Sequence, residues 1–166
     1  MSRRLPAFAL AGVWFCLDRV TKLLVQANMS REDVLVVIPG FFNLIYTENR
    51  GMAFSLLAEG ENEWRSFFLI GLTSLVLAFV ASILWQSSPK GLAASRWSRT
   101  GLSLVLGGAL GNLYDRVVSG AVTDFLDFYV AGYHWPAFNV ADMGLTVGAA
   151  LVVLDLWRSR RLEAAA

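Results

Sequence analysis

The feature that most constrains the fold is a long apolar stretch in the middle of the chain. Residues 66–86 read SFFLIGLTSLVLAFVASILWQ, and none of these side chains carries a charge. A helix of this kind can cross the hydrocarbon core of a membrane, which takes about 20 apolar residues. Because 56% of all residues are apolar and only 16% are charged, we predict an integral membrane protein.

Three further segments are apolar but contain polar residues near one end. Together with residues 66–86, these segments predict four transmembrane helices, at about residues 5–26, 66–86, 100–118 and 138–157. The outer loop of residues 27–65 contains two runs typical of short strands, Val34–Ile38 and Phe41–Tyr46, around a Pro39-Gly40 turn. We therefore predict the all-α membrane class, with one domain of residues 1–166 and a small extracytoplasmic β-sheet cradle at the membrane interface.

Basic residues predict the orientation of these helices. They precede the first helix, separate the second from the third and follow the fourth: Arg3, Arg4, Lys90, Arg96, Arg99, Arg158, Arg160 and Arg161. On the other side, residues 27–65 contain six acids against three arginines, and residues 119–137 contain two acids and no Lys or Arg. Since Lys and Arg mark the cytoplasmic side, both termini are expected there, and most intramembrane charges then lie at outer helix ends. Asp155 is the exception, and we expect it to pair with Arg158 at the inner end.

The composition also excludes several classes of function. The net charge is +1, from 14 basic and 13 acidic residues, so no strong field attracts nucleic acid. Cys16 and His134 are the single cysteine and histidine, which excludes an internal disulfide and the usual zinc sites. We expect no metal and no cofactor, with Cys16 as a buried packing residue and His134 at the membrane interface.

Charges inside a membrane need a partner or a function. Asp18 and Lys22 are four residues apart on one helix face, where they can form a structural ion pair. Lys22 also raises the alternative of a Ser–Lys nucleophile, although no recognisable motif places a serine beside it. In the third helix, Asn112, Asp115 and Arg116 are spaced for a polar clamp between helices.

The fourth helix opens on residues with two possible roles. Asn139 and Asp142 have the spacing of a capping box, which would only stabilise the helix start. However, two carboxylates and a water are also sufficient for peptide hydrolysis when they share one proton. Spacing alone leaves the identity of such a pair open among five acids, Asp18, Asp115, Asp124, Asp127 and Asp142.

Two other classes of function remain open at this level. One is a small transporter, in which an intramembrane acid carries protons or cations. The other is a structural or assembly subunit that uses Gly107 with Gly111, and Gly144 with Gly148, as helix-packing faces. The acids gather at one end of the predicted helices rather than near the midplane, which disfavours transport.

Five motifs in register over nearly the whole chain resemble the lipoprotein signal peptidase (signal peptidase II) family. They are Asp18-x-x-x-Lys22, Asn49-x-Gly51-x-Ala53-Phe54-Ser55, Gly107-Gly-Ala-Leu-Gly111-Asn112-x-x-Asp115-Arg116, Val122-x-Asp124-Phe125 and Phe138-Asn139-x-Ala141-Asp142. The resemblance implies an aspartyl endopeptidase of the bacterial inner membrane. Its substrates would be prolipoproteins, cleaved just before a diacylglyceryl-modified cysteine at the outer membrane face.

The resemblance also implies residue roles. Asp124 and Asp142 would be the catalytic dyad, and the residues that bind substrate or support the dyad would be Asp18, Lys22, Asn49, Gly51, Asn112, Asp115, Arg116 and Asn139. The expected partners are prolipoproteins and membrane lipid, with no nucleic acid, and we expect a monomer. Asp127 matches no family position and is interpreted as a solvated loop acid. Arg19 stands where glutamine is frequent, a departure expected to leave catalysis undisturbed.

Overall fold

The structure, a computed structural model, describes residues 4–51, 63–86 and 91–164. Within these ranges it contains four helices: α1 (Arg4–Asn28), α2 (Glu63–Gln86), α3 (Arg96–Ser119) and α4 (Val140–Ala164). The same ranges contain four strands: β1 (Val34–Ile38), β2 (Phe42–Asn49), β3 (Val122–Val130) and β4 (Tyr133–His134). The chain is therefore helix-rich with a small antiparallel sheet, as predicted.

The helices differ in whether their length and apolar composition are sufficient to cross a membrane. Among those described, two are long and apolar enough to cross one, over Ser66–Gln86 and Val140–Arg161. The α1 and α3 helices are of similar length, 25 and 24 residues, but carry more polar side chains. In α1 those polar side chains point inward, since Asp18 and Lys22 are 0% exposed, whereas Val13 and Leu24 are exposed on its outer surface.

The α3 helix lies at the centre of the bundle and contacts α1, α2 and α4. Glycines make these contacts close. A Cβ atom on Gly107 would lie 2.5 Å from the Ala11 carbonyl oxygen of α1, and one on Gly108 would overlap the Ala141 carbonyl oxygen of α4. A Cβ on Gly148 would lie 2.5 Å from the Gly101 carbonyl oxygen. The predicted small-residue packing faces are therefore confirmed.

The sheet has the strand order β1-β2-β3-β4, and all its pairings are antiparallel. Its first two strands were expected, but residues 119–137 were expected to form a loop, and that prediction is wrong. The segment contains β3 and β4, because it is rich in β-branched and aromatic residues, and Asn49 and Asn43 of β2 bond its Asp124 and Asp127. The β3 strand pairs with β2 and thereby places Asp124 beside Thr47.

Two further expectations are corrected by the structure, and a third gains a second partner. Asp127 is not a solvated loop acid: it is 5% exposed and accepts hydrogen bonds from Asn43. Cys16 is exposed rather than buried, because it lies on the outward surface of α1. Asp155 is near the charge of the expected Arg158 and in addition accepts a hydrogen bond from Ser98 of α3 at 2.5 Å.

The basic residues used for orientation lie partly on helices. Ser95 caps α3, so Arg96 and Arg99 belong to its first turns, and Arg158, Arg160 and Arg161 belong to the end of α4. Arg3 and Lys90, and the Ala53-Phe54-Ser55 end of the second motif, lie outside the described residues.

The close contact between α3 and α4 gives a testable prediction. Gly108→Ala should lower the melting temperature, because the added methyl group meets backbone that cannot rotate away, and overpacking costs about 1–3 kcal/mol. The control is Gly12→Ala in α1, where a Cβ meets nothing within 4 Å. That variant should melt at or above the wild-type temperature, because Ala favours helix over Gly. The melting temperatures of both variants are measured in one detergent by tryptophan fluorescence during thermal unfolding. Equal melting temperatures of Gly108→Ala and wild type would contradict the contact.

Candidate active site

Two carboxylates meet where α4 begins beside β3. Asn139 is the residue before α4, and its side-chain oxygen accepts a hydrogen bond from the Asp142 backbone N–H at 3.0 Å. In return, the Asp142 carboxylate accepts one from the Asn139 backbone N–H at 3.2 Å. This reciprocal pair is the predicted capping box, and it fixes the Asp142 carboxylate in the first turn of α4.

The same Asn139 side chain also holds Asp124. Its amide Nδ2 donates to Asp124 Oδ1 at 2.7 Å and to the Thr123 carbonyl oxygen at 3.2 Å. Asn139 is 0% exposed and Asp124 is 3% exposed, so these bonds lie in the interior. One buried side chain therefore contacts both acids, and the capping role and the bridging role belong to the same residue.

Asn112 of α3 supports the second carboxylate. Its Nδ2 donates to Asp142 Oδ1 at 2.7 Å, while its Oδ1 accepts from Lys22 Nζ at 3.0 Å and from Asn139 Nδ2 at 3.3 Å. A lysine ammonium can only donate hydrogen bonds, so it fixes which end of the Asn112 amide faces it. The side-chain amide of Asn112 is therefore oriented with its Nδ2 donor toward Asp142.

Lys22 lies in a buried cluster of charges between α1 and α3. Its ammonium is 2.8 Å from Asp18 Oδ2 and 2.8 Å from Asp115 Oδ2. Arg19 pairs with the other oxygen of Asp115. Gly111 leaves room for the Asp18 carboxylate, where a Cβ would overlap it. The predicted ion pair is confirmed, and because the ammonium contacts two carboxylates and an amide, the Ser–Lys alternative has no support among the described residues.

Asp18 connects this cluster to α4. Its Oδ1 accepts a hydrogen bond from the backbone N–H of Ala141 at 2.8 Å, one residue before Asp142. Trp14, one turn earlier on α1, donates to the Val140 carbonyl oxygen at 3.0 Å. The start of α4 is therefore fixed by α1 as well as by its own cap.

Asn49 and Gly51 approach Asp124 from the end of β2. Asn49 Nδ2 donates to Asp124 Oδ2 at 3.1 Å, and Asn49 Oδ1 accepts from the Gly51 backbone N–H at 2.8 Å. Gly51 has a φ of +88°, a conformation that favours glycine, and a Cβ there would lie 2.6 Å from a methyl group of Leu69. The motif thus forms a tight turn that presents the Asn49 amide to the acid.

Arg116 completes the set of predicted residues at this place. Its guanidinium donates to the Asn112 backbone carbonyl oxygen at 3.2 Å, and its positive charge acts on Asp142 and Asp124. All ten residues singled out from the sequence therefore lie in one continuous network built by α1, β2, α3, β3 and α4.

The environment of Asp124 changes its acidity. Burial raises its pKa to about 6 from the ordinary 3.8, and the nearby Asp142 charge acts in the same direction. Hydrogen bonds from Asn49 and Asn139 and the charge of Lys22 act the other way. An acid with a pKa near neutrality can hold a proton that its neighbour has lost, which is the arrangement needed for general acid–base chemistry.

The five acids left open by spacing now differ in their partners. Among the described residues, Asp18 and Asp115 form ion pairs and Asp127 is bonded by Asn43 and His134, whereas neither Asp124 nor Asp142 forms a salt bridge. Within the part of the chain that the structure describes, no group of three or more His, Cys, Asp or Glu side chains is placed to hold a metal ion. The remaining pair is Asp124 and Asp142.

Some members of the network were missed from the sequence. Gln26 of α1 donates to the Thr123 hydroxyl at 2.7 Å, and Arg19 contacts Asp115. Arg19, Lys22 and Gln26 are three and four residues apart, so helical periodicity would have placed them on one face. His134, expected at the interface, is exposed and hydrogen-bonds Asp127 at 2.8 Å, forming with Asn43 a separate cluster on the sheet.

Comparison with known proteins gives consistent matches. A family model described as signal peptidase (SPase) II matches residues 10–158. The lipoprotein signal peptidase of Solibacter usitatus is 47% identical over 161 residues, covering 97% of this chain and 96% of that protein. The lipoprotein signal peptidase of Ralstonia nicotianae is 43% identical, covering 94% and 87%. A solved bacterial membrane enzyme superposes with a TM-score of 0.78 at 31% identity, covering 93% of this chain and 89% of that one.

The buried charge cluster predicts a large stability effect. Lys22→Met should destabilise the fold by about 3–5 kcal/mol, because it leaves the Asp18 and Asp115 carboxylates buried without their shared cation. Arg160→Met, at an exposed position of α4, is the matched control and should change stability by less than about 0.5 kcal/mol. Denaturant unfolding of both variants in one detergent measures the difference; similar unfolding midpoints would disprove the cluster's role.

Proposed function

Because the chain belongs to the signal peptidase II family, a family of proteases, we propose that it removes signal peptides from prolipoproteins as an aspartyl endopeptidase. Asp124 and Asp142 are the catalytic pair, and a water between them is the nucleophile. The observation that carries this assignment is that Asn139 contacts both carboxylates, while neither carboxylate forms a salt bridge among the described residues.

The two acids have different surroundings, and these suggest different roles. Asp142 lies in the first turn of α4, where the positive end of the helix dipole favours a negative charge, and it accepts two N–H donors. Asp124 is buried and its pKa is raised to about 6. In the starting state, Asp142 is therefore the ionised base and Asp124 is the protonated acid.

The reaction then follows from these protonation states. Asp142 removes a proton from the water, whose oxygen attacks the scissile carbonyl carbon, while Asp124 donates its proton to the carbonyl oxygen. In the second step the resulting diol returns a proton to Asp124, and Asp142 gives its proton to the leaving amide nitrogen as the C–N bond breaks. Protons balance, and both acids return to their starting states.

The residues around the two catalytic acids support them through direct contacts. Asn139 and Asn112 orient the carboxylates, Asp18, Lys22 and Asp115 hold Asn112 and α4 in place, and Gly51 positions Asn49. Asn49 donates to Asp124, and Arg116 supplies a positive charge that acts on both catalytic acids.

The substrate follows from the family and from the position of the site. We assign cleavage to the N-terminal side of a diacylglyceryl-modified cysteine, whose lipid stays in the bilayer while the peptide reaches the acids. Every residue of β1 is apolar and exposed, and Phe41 beside it is 46% exposed. Such a surface suits contact with membrane lipid.

The same considerations support a membrane topology. We propose four membrane-crossing helices in the bacterial inner membrane, with both termini cytoplasmic and the site at the periplasmic face. Inward-facing charges and outward-facing Val13, Leu17, Val20 and Leu24 make α1 compatible with lipid despite its polar residues. We propose that the protein acts as a monomer.

The dyad assignment predicts a specific loss of activity. Asp124→Asn or Asp142→Asn should reduce cleavage of a diacylglyceryl-modified precursor by about 10³-fold or more, because an amide can neither take nor give the transferred proton. The control is Asp33→Asn, an exposed acid of the outer loop, which should cleave at the wild-type rate. Release of the signal peptide is followed by gel mobility. Turnover near the wild-type rate in either dyad variant would disprove the assignment.

The roles of the two acids predict the pH dependence. Asp124 must be protonated, and its pKa in the folded protein is about 6, so the active form is present below that pH and is lost as the pH rises through it. We expect kcat/KM to fall by half near pH 6 and about tenfold for each further pH unit. The profile is measured with a synthetic lipopeptide, with Asp33→Asn as a control of unchanged shape. A kcat/KM that rises through this range would reverse the assignment of acid and base.

A further inference from the structure

We propose that Arg19 is a positioning residue for the catalytic pair, which it serves by balancing the charge of the buried cluster behind it. This inference rests on the proposed function and deepens it. Arg19 does not touch either catalytic acid, and the inference replaces the expectation from the sequence that Arg19 leaves catalysis undisturbed. Its contacts nevertheless connect it to Asp142 through a continuous chain of ion pairs and hydrogen bonds.

The chain of contacts alternates between helices. The Arg19 guanidinium of α1 pairs with one oxygen of Asp115 in α3, and the other oxygen of Asp115 is 2.8 Å from Lys22 Nζ in α1. Lys22 then donates to Asn112 Oδ1 at 3.0 Å, and Asn112 Nδ2 donates to Asp142 Oδ1 at 2.7 Å. The position of Asp115 therefore affects how firmly the Asn112 amide holds the base.

The charge of the cluster depends on Arg19. Asp18 and Asp115 contribute two negative charges, and Lys22 alone contributes one positive charge. With Arg19 the four groups sum to zero; without it a net negative charge remains beside the dyad. Because the side chains of Asp18, Lys22 and Asp115 are at most 3% exposed, water screens this charge poorly.

Arg19 is itself held in place at the edge of the bundle. Its side chain is 16% exposed, and its guanidinium lies 4.4 Å from the centre of the Tyr114 ring, on the residue next to Asp115. The aromatic face covers part of the guanidinium while the other side pairs with the carboxylate. A guanidinium suits this site because it can stack and pair at the same time, and it stays charged at every relevant pH.

The charged groups around Asp124 decide the sign of the effect. On the neighbouring elements the charged groups are Asp18, Arg19 and Lys22 of α1, Asp115 and Arg116 of α3, Asp142 of α4, and Glu48 of β2, which pairs with Arg31. Lys22, Arg116 and Asp142 act on Asp124 directly, and Arg19 is connected to it through Asp115 and Lys22. Removing the Arg19 charge adds net negative charge to this set and makes it harder for Asp124 to lose its proton. The pH at which kcat/KM has fallen to half its maximum, the alkaline half-point, should then be higher.

The experiment is a charge-balance cycle on the full-length protein in detergent. The variants are Arg19→Gln, Arg19→Lys, Asp115→Asn and the double variant Arg19→Gln/Asp115→Asn. For Arg19→Gln we expect kcat to fall about tenfold with KM unchanged, and the alkaline half-point to rise by about half a pH unit. Arg19→Lys keeps the charge and should retain the wild-type half-point. Asp115→Asn leaves the cluster net positive, so its half-point should fall.

The double variant separates charge balance from simple damage to the structure. It restores a neutral cluster, so its half-point should return to the wild-type value even if its kcat stays low. A half-point unchanged in Arg19→Gln, or one displaced equally in Arg19→Gln and the double variant, would overturn the inference. If Arg19→Gln does not fold, the other two single variants test the inference. A half-point lowered in Asp115→Asn and unchanged in Arg19→Lys would support it, and any other result would overturn it.

Failure of this inference is distinguishable from failure of the proposed function. If wild type cleaves the lipopeptide and Asp124→Asn does not, the dyad stands whatever the Arg19 variants do. If Asp124→Asn cleaves like wild type, the proposed function fails, and the inference fails with it.

Discussion

The interaction on which the rest of the structure depends is the burial of the Lys22 ammonium between two carboxylates. A charge without water is stable only with partners, so Asp18 and Asp115 must both lie beside it, and this fixes α1 against α3. The third partner is the Asn112 amide, which is thereby oriented toward α4. One buried cation therefore determines the relative placement of three helices at the end of the bundle where the candidate site lies.

The site uses helix-capping geometry for a second purpose. Asn139 and Asp142 satisfy the first turn of α4 as any capping box does, yet the Asn139 side-chain amide also reaches Asp124. One residue therefore stabilises the helix and sets the separation of two acids. The acids differ because one lies at a helix N-terminus and the other is buried on a strand, and this difference supports separate roles as base and acid.

Much of this could be predicted from the sequence, and the exceptions have physical reasons. Long apolar runs predicted the helices, and glycine spacing predicted their packing. Local spacing predicted the Asp18–Lys22 pair and the capping box, since each depends on residues within one turn. The β3 strand was missed because Asp124 and Asp127 interrupt its apolar pattern, although both are buried by partners from β2. The contact of Arg19 with Asp115 spans 96 positions, and no local pattern encodes it.

The central claim is that Asp124 holds the proton while Asp142 carries the charge. Infrared difference spectroscopy of the full-length protein during a pH titration tests it directly, because a protonated carboxyl group has a C=O stretch that a carboxylate lacks. We predict a protonated carboxyl band that is lost with a midpoint near pH 6, that persists in Asp33→Asn and that disappears in Asp124→Asn. A band that survives in Asp124→Asn with the same midpoint would contradict the claim.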